Sequence, residues 1–108
     1  MEKEYAENRR KNERYFFREH VLIDETIPCT ISDISDNGLY VSAVQQFEED
    51  RIVKITIPFK DKKVTVRAKV QYCQPGIGMG VMFVDLDNEQ KSFLRELIEH
   101  LDETSLNP

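Results

Sequence analysis

The chain has 108 residues, of which 40% are hydrophobic and 32% are charged, and its formal net charge is −5. This length and apolar content suit one small domain with one core and argue against a disordered chain. The negative charge opposes a general nucleic-acid binder, because nonspecific affinity for phosphate backbones needs a broad excess of Lys and Arg.

The chain begins with a polar segment, residues 1–13, that has no apolar stripe and is interpreted as a flexible basic arm. It lacks the apolar core of a signal peptide, and no later run approaches the roughly 20 apolar residues that cross a bilayer. We therefore expect a cytoplasmic protein without membrane insertion. From Arg9 to Arg18 the charges sum to +4, which leaves −9 for the rest of the chain. A small basic segment on an acidic domain favours a compact anionic ligand.

Residues 14–104 are predicted to form the folded domain, starting with short strands at residues 21–23, 29–34 and 38–43. Residues 52–57 and 64–72 alternate between apolar and polar side chains, which predicts two strands with one dry face each. On the second of these strands the predicted dry face consists of Val64, Val66, Ala68, Val70 and Tyr72. Residues 60–62 suit a hairpin turn, and glycines at 76, 78 and 80 lead into a last strand at residues 81–84.

The end of the domain has helical spacing. Asp87 and Gln90 resemble a capping box, and apolar residues then recur every three or four positions: Phe93, Leu94, Leu97, Ile98 and Leu101. An amphipathic helix at about residues 88–102 is predicted to cover the strands. The fold class is therefore mainly β, a small antiparallel barrel of about six strands with a C-terminal helix.

The segment after the second strand carries a D-x-S-x-x-G pattern formed by Asp33, Ser35 and Gly38. Residues two apart on a strand face the same side, so the carboxylate and the hydroxyl are expected to project together toward a purine edge. Gly38 is expected to turn the chain at positive φ and leave space above the pair. The competing interpretation is a local turn in which both side chains satisfy backbone groups.

Three arginines, Arg10, Arg14 and Arg18, are spaced by four residues, which places them on one side of a helix or a strand. The planar guanidinium group binds phosphate or the O6/N7 edge of guanine through two hydrogen bonds and stacks on bases. Without the D-x-S-x-x-G pattern, a solvated basic stretch would be the better interpretation.

Taken in order, R-x-x-x-R, D-x-S-x-x-G, the alternating strands and G-x-G-V-x-F at residues 78–83 resemble the PilZ family over nearly the whole chain. The resemblance implies a six-stranded antiparallel β-barrel with a C-terminal helix. It also implies cyclic di-GMP as ligand and a signal passed to an unidentified downstream protein partner, without a cofactor or a metal.

The resemblance assigns ligand-binding roles to two arginines of the R-x-x-x-R motif. This motif fits the sequence in two alignments, which we call registers, and Arg14 belongs to both. We prefer the register of Arg10 and Arg14, which Arg9 precedes, although Arg14 and Arg18 fit equally by spacing and the first hairpin looks short for the family. The implied mechanism folds the arginine arm over the barrel, while Asp33 and Ser35 take the guanine N–H edge and Gly38 admits the base. One bound nucleotide and a stacked pair both remain open.

Other functions receive less support from the sequence. His20 and His100 show no metal-ligand spacing and no nucleophile motif is present, so we predict no catalytic and no metal-binding residue. A PilZ-like adaptor that binds a protein partner and no nucleotide is the main alternative. The aromatic residues 15–17 would form its binding surface, although core packing or the seam of a homodimer would also explain them. The lone Cys29 and Cys73 are expected to be buried thiols.

Overall fold

The computed structural model describes residues 13–106 and confirms the predicted six-stranded antiparallel barrel with a C-terminal helix. The strands and the helix are β1 (Tyr15–Ile23), β2 (Ile27–Ile34), β3 (Gly38–Ser42), β4 (Ile52–Phe59), β5 (Lys62–Gln74), β6 (Gly78–Val84) and α1 (Asn88–Leu106). Within this part of the chain, no helix is long and apolar enough to cross a membrane.

The barrel closes in the order β1-β2-β3-β6-β5-β4, and β4 returns to β1 through the pairing of Ile23 with Ile55. Successive strands run in opposite directions, so the start of β1, the end of β2 and the start of β3 meet at one end of the barrel. We call this the arginine end, because Arg14 directly precedes β1. At the opposite end the β3–β4 connection crosses from one side of the barrel to the other, and Phe47 of that connection is buried.

Alternating side chains build the core, as the sequence predicted. On β4 the side chains of Val53, Ile55 and Ile57 are fully buried, whereas Lys54 is exposed. Burying each such aliphatic side chain contributes about 1.5–3 kcal/mol, which explains why period-two alternation selects strands here.

The turns form at residues whose types favour the required backbone conformations. The β4–β5 hairpin turns on Lys60 and Asp61, with Lys60 at φ 57°, since Phe59 pairs with Lys62. After β5, the amide of Ile77 donates to the carbonyl of Gln74 over 2.9 Å, and Gly76 supplies the positive φ of 78° that follows Pro75 in a type II turn. The β1–β2 hairpin is tight, with three residues between Ile23 and Ile27.

The helix begins with the predicted capping box. The amide of Gln90 donates to Asp87 Oδ1 over 2.7 Å, and the amide of Asp87 donates to Gln90 Oε1 over 2.8 Å. The helix packs its apolar face on the arginine end, where Leu97 and Ile98 are buried, and it continues to Leu106, past the predicted end at residue 102.

One strand departs from the predicted alternation. Val70 pairs with Val81 but Tyr72 pairs with Gly80, so two steps along β5 match one step along β6. The extra residue, Gln71, forms a β-bulge that reverses which side the following residues face. The prediction that Tyr72 lies on the dry face with Val70 is therefore wrong: its side chain is 47% exposed on the outside of the barrel.

Candidate functional site

The structure brings three of the predicted site residues together at the arginine end. Arg14 Nε donates to Asp33 Oδ1, and Arg14 Nη1 lies 3.4 Å from Ser35 Oγ. The ion pair is partly open to solvent, with 44% of the Arg14 side chain and 33% of the Asp33 side chain exposed. An ion pair exposed to this degree contributes only about 0.2–1 kcal/mol to stability. The stability of the fold therefore gives little explanation for the presence of this ion pair.

Ser35 is held by the backbone as well as by Arg14. Its side chain is 2% exposed, and Oγ accepts the amides of Asn37 and Gly38 over 3.2 and 3.3 Å. The amide of Ser35 also donates to the carbonyl of Gly38 over 2.8 Å, which completes a tight β2–β3 turn. The local-turn interpretation is thus correct for Ser35, whereas Asp33 contacts Arg14.

Gly38 is required for a different reason from the one expected from the sequence. Among the described glycines only Gly76 has positive φ, so the expectation that Gly38 turns the chain in that conformation is wrong. Gly38 is the buried first residue of β3, and a Cβ atom built on it would lie 1.9 Å from the carbonyl oxygen of Val81 on β6. The need at this position is close approach of two strands.

The remaining arginines occupy different situations. Arg9 and Arg10 lie outside the described residues. Arg18 is exposed on the outer face of β1, two positions beyond Phe16, which pairs with Asp33. Among the described hydrogen bonds, Arg14 is the arginine that contacts Asp33 and Ser35, so the residue that both registers share lies at the pair.

A hollow of about 350 Å³ separates the arginine segment from the end of the helix and is lined by Glu13, Arg14, Tyr15, Phe16, Leu101 and Thr104. The neighbouring Tyr15 hydroxyl donates to Asp102 Oδ1 of α1 over 2.8 Å. A residue next to Arg14 is therefore tied directly to the C-terminal helix.

Aromatic side chains that the sequence analysis did not assign to the site flank Asp33 on the outer face. Strand pairing sets Phe16, Asp33, Tyr40, Gly80 and Tyr72 side by side across five strands. The ring centroids of Tyr40 and Tyr72 are 6.3 Å apart, and Phe16 is 76% exposed on the other side of Asp33. Of the aromatic residues 15–17, which were considered as the surface of an adaptor, Tyr15 and Phe17 are core residues.

The residues considered for catalysis have structural contacts. His20 Nδ1 lies 3.0 Å from Thr30 Oγ1, and the ring of His100 packs 5.4 Å from that of Phe59. Within the described part of the chain, no group of three His, Cys, Asp or Glu residues could hold a metal ion. Cys29 is buried as expected, and Cys73 is half-buried and accepts the amide of Phe47 over 3.5 Å. Burial raises the pKa of Cys29 to about 11, which keeps its thiol protonated into the alkaline range.

A comparison with models of protein families identifies a family for this chain. The family model described as the PilZ domain matches residues 8–100. This range contains both halves of the arginine motif, the D-x-S-x-x-G turn, all six strands and most of the helix. A search of curated proteins finds no match.

Proposed function

The chain belongs to the PilZ domain family, whose members generally bind cyclic di-GMP and are not catalytic, and on that premise we propose that it is a cyclic di-GMP receptor. Its arginine arm would order over the arginine end of the barrel when the nucleotide binds. The reshaped surface would then be offered to a downstream protein partner in the cytoplasm.

The observation that carries the proposal is the contact of Arg14 with both Asp33 and Ser35. A guanine offers two N–H donors on one edge, and a carboxylate is an acceptor with about four lone-pair sites, so Asp33 retains acceptor capacity beside Arg14. The guanidinium group would supply donors for phosphate oxygens or for the O6/N7 edge, and its face would stack on the base. Complementary donors and acceptors thus lie on one partly exposed surface.

The arginines before and after Arg14 complete the proposed site. Arg9 and Arg10 would add charge against the phosphates, and Arg18 is the alternative second arginine. Ser35 would act by fixing the turn and supporting Arg14, and Gly38 would act by letting β3 approach β6 closely beside that turn. Ordering the arm costs conformational entropy, which charge-assisted bonds and stacking would offset.

A second function has one observation in its favour. A largely apolar groove of about 820 Å³ lies on the barrel away from Arg14 and is lined in part by Leu22, Cys29, Ala43, Val44 and Ile77. Val44 and Ile77 are among the most exposed apolar side chains of the described residues. An exposed apolar patch of this kind suits a protein partner, as expected of a PilZ-like adaptor that does not bind nucleotide.

Calorimetry with cyclic di-GMP separates the two functions. Saturable binding by the wild type is expected, with loss of binding in Arg14→Ala and strong weakening in Asp33→Ala and Ser35→Ala. Arg67→Ala is the matched control, because Arg67 forms a comparable exposed ion pair with Asp85 over 3.2 Å on a different strand. Absence of heat from the wild type at high micromolar protein would reject the receptor and favour the adaptor.

The same titration chooses between the two arginine registers. Arg10→Ala is expected to weaken binding more than Arg18→Ala, because the preferred register pairs Arg10 with Arg14. The reverse order would show that Arg14 and Arg18 form the binding pair.

A further inference from the structure

Two tyrosines form a continuous aromatic surface on the outside of the barrel, next to Asp33. Tyr40 pairs with Asp33 on one side and with Gly80 on the other, and Gly80 pairs in turn with Tyr72. Strands lie about 4.8 Å apart, so the backbones of Tyr40 and Tyr72 are separated by about 10 Å. Their ring centroids are only 6.3 Å apart, because both rings lean over the strand between them.

The two glycines of β6 make room for these rings. A Cβ atom on Gly80 would lie 2.5 Å from the ring of Tyr72, and one on Gly78 would lie 2.8 Å from the hydroxyl oxygen of Tyr40. Each ring therefore rests directly on glycine backbone. Gly78 and Gly80 are two residues apart on one strand and therefore face the same side of the sheet. They leave room for the two rings on that side.

The Tyr40 ring is held in place before any ligand arrives. The Tyr40 hydroxyl donates to Gln74 Oε1 over 2.7 Å, which fixes one ring at its far end. Desolvation raises the pKa of Tyr40, and the nearby groups of Tyr72, Cys73 and Asp33 raise it further. Tyr72 is half-exposed, which leaves part of its ring available for contact. A fixed aromatic surface loses little entropy when a base stacks on it.

We propose that Tyr40 and Tyr72 bind the second guanine of the same cyclic dinucleotide whose first guanine is held by Arg14 and Asp33. This inference rests on the proposed receptor function. An aromatic ring stacks on any base and does not distinguish among them, so guanine selection stays with Asp33 while the tyrosines add affinity. The tyrosine surface thereby selects for a ligand with two bases over a mononucleotide.

The first experiment compares calorimetric titrations of cyclic di-GMP into the wild type, Tyr72→Phe and Tyr72→Leu. Phenylalanine keeps the stacking face, so its affinity should stay within about twofold of wild type. Leucine still covers Gly80 but has no aromatic face, and base stacking of the usual strength predicts affinity reduced about 10-fold. Val44→Ala, which alters an exposed apolar side chain at the opposite end, serves as the control for nonspecific surface effects.

The second experiment needs no substitution that could disturb folding. NMR of the wild type is expected to show upfield shifts of the Tyr72 ring protons when cyclic di-GMP is added, because a stacked guanine shields them. Unshifted ring protons at saturation would overturn the inference, as would Tyr72→Leu affinity equal to that of wild type.

These outcomes separate failure of the inference from failure of the receptor proposal. If the wild type binds cyclic di-GMP and Asp33→Ala weakens it while Tyr72→Leu does not, the receptor stands and the tyrosine surface is rejected. If the wild type does not bind cyclic di-GMP at all, both are rejected. Ring-proton shifts of Tyr72 that appear only with an apolar peptide would assign this surface to a protein partner.

Discussion

Replacement of Gly38 by alanine tests whether this glycine serves packing or backbone conformation. The new Cβ atom would start 1.9 Å from the carbonyl oxygen of Val81 and would have to retreat by about 1.1 Å to reach the 3.0 Å below which real Cβ contacts are essentially not seen. The obstacle is backbone in a paired strand, so rotation of a side chain cannot relieve it. β3 must move away from β6 instead.

The cost can be worked out from the bonds that this movement would stretch. The amide of Phe83 donates to the carbonyl of Asn37 over 2.8 Å, and the amide of Ser35 donates to the carbonyl of Gly38 over 2.8 Å. Losing one or two such bonds costs about 0.5–1.5 kcal/mol each, and overpacking adds about 1–3 kcal/mol. We expect Gly38→Ala to lower the free energy of unfolding by about 2–4 kcal/mol, a large part of the roughly 5–15 kcal/mol typical of a small domain.

Urea unfolding followed by circular dichroism measures this change, and two further variants locate its cause. Gly76→Ala tests positive φ alone, since a Cβ atom there meets nothing within 4 Å, and it should cost about 1–2 kcal/mol. Gly38→Asn would be tolerated if positive φ were the requirement, because asparagine adopts that conformation readily. Unchanged stability of Gly38→Ala, or Gly38→Asn more stable than Gly38→Ala, would refute the packing argument.

Three further predictions concern the core, the helix contact and pH. Leu97→Ala removes a fully buried side chain between helix and barrel and should lower the free energy of unfolding by about 2–5 kcal/mol in urea titrations; a loss below about 1 kcal/mol would contradict this packing. Tyr15→Phe removes the hydrogen bond to Asp102 and should cost about 1 kcal/mol in the same assay, whereas unchanged stability would show that this bond contributes nothing. Burial raises the pKa of Cys29 from 9.0 to about 11, so folding favours the protonated thiol, and this stability is lost as pH rises from about 9 to about 11. Relative to Cys29→Ala, wild type should lose up to about 3 kcal/mol over that range, and parallel pH profiles would contradict it.

The secondary structure was predictable because its signals are local. Period-two alternation located β4, and the residues of the capping box located the start of α1 at Asn88. The side chains of Asp87 and Gln90 bond reciprocally as their spacing predicts. Each of these signals depends on neighbours within a few positions, so a single sequence contains them.

The geometry of the candidate site was predictable in part. Residue type and spacing indicated Arg14, Asp33 and Ser35, and the fold brings these three into contact. The role of Ser35 in the turn was one of two interpretations, and the sequence offered no means of choosing between them. That choice depends on whether the amides of residues 37 and 38 point back at the hydroxyl, which only the completed turn decides.

By itself, the sequence determined the number and kind of elements, the caps and turns, and the residue types available for an anionic ligand. The tertiary structure decided what depends on partners distant in the chain. The bulge between Val70 and Tyr72 is defined only against β6, and it turns Tyr72 outward beside Tyr40. The requirement for glycine at position 38 arises from the carbonyl of Val81, 43 residues later, so it reflects strand-to-strand distance rather than local conformation.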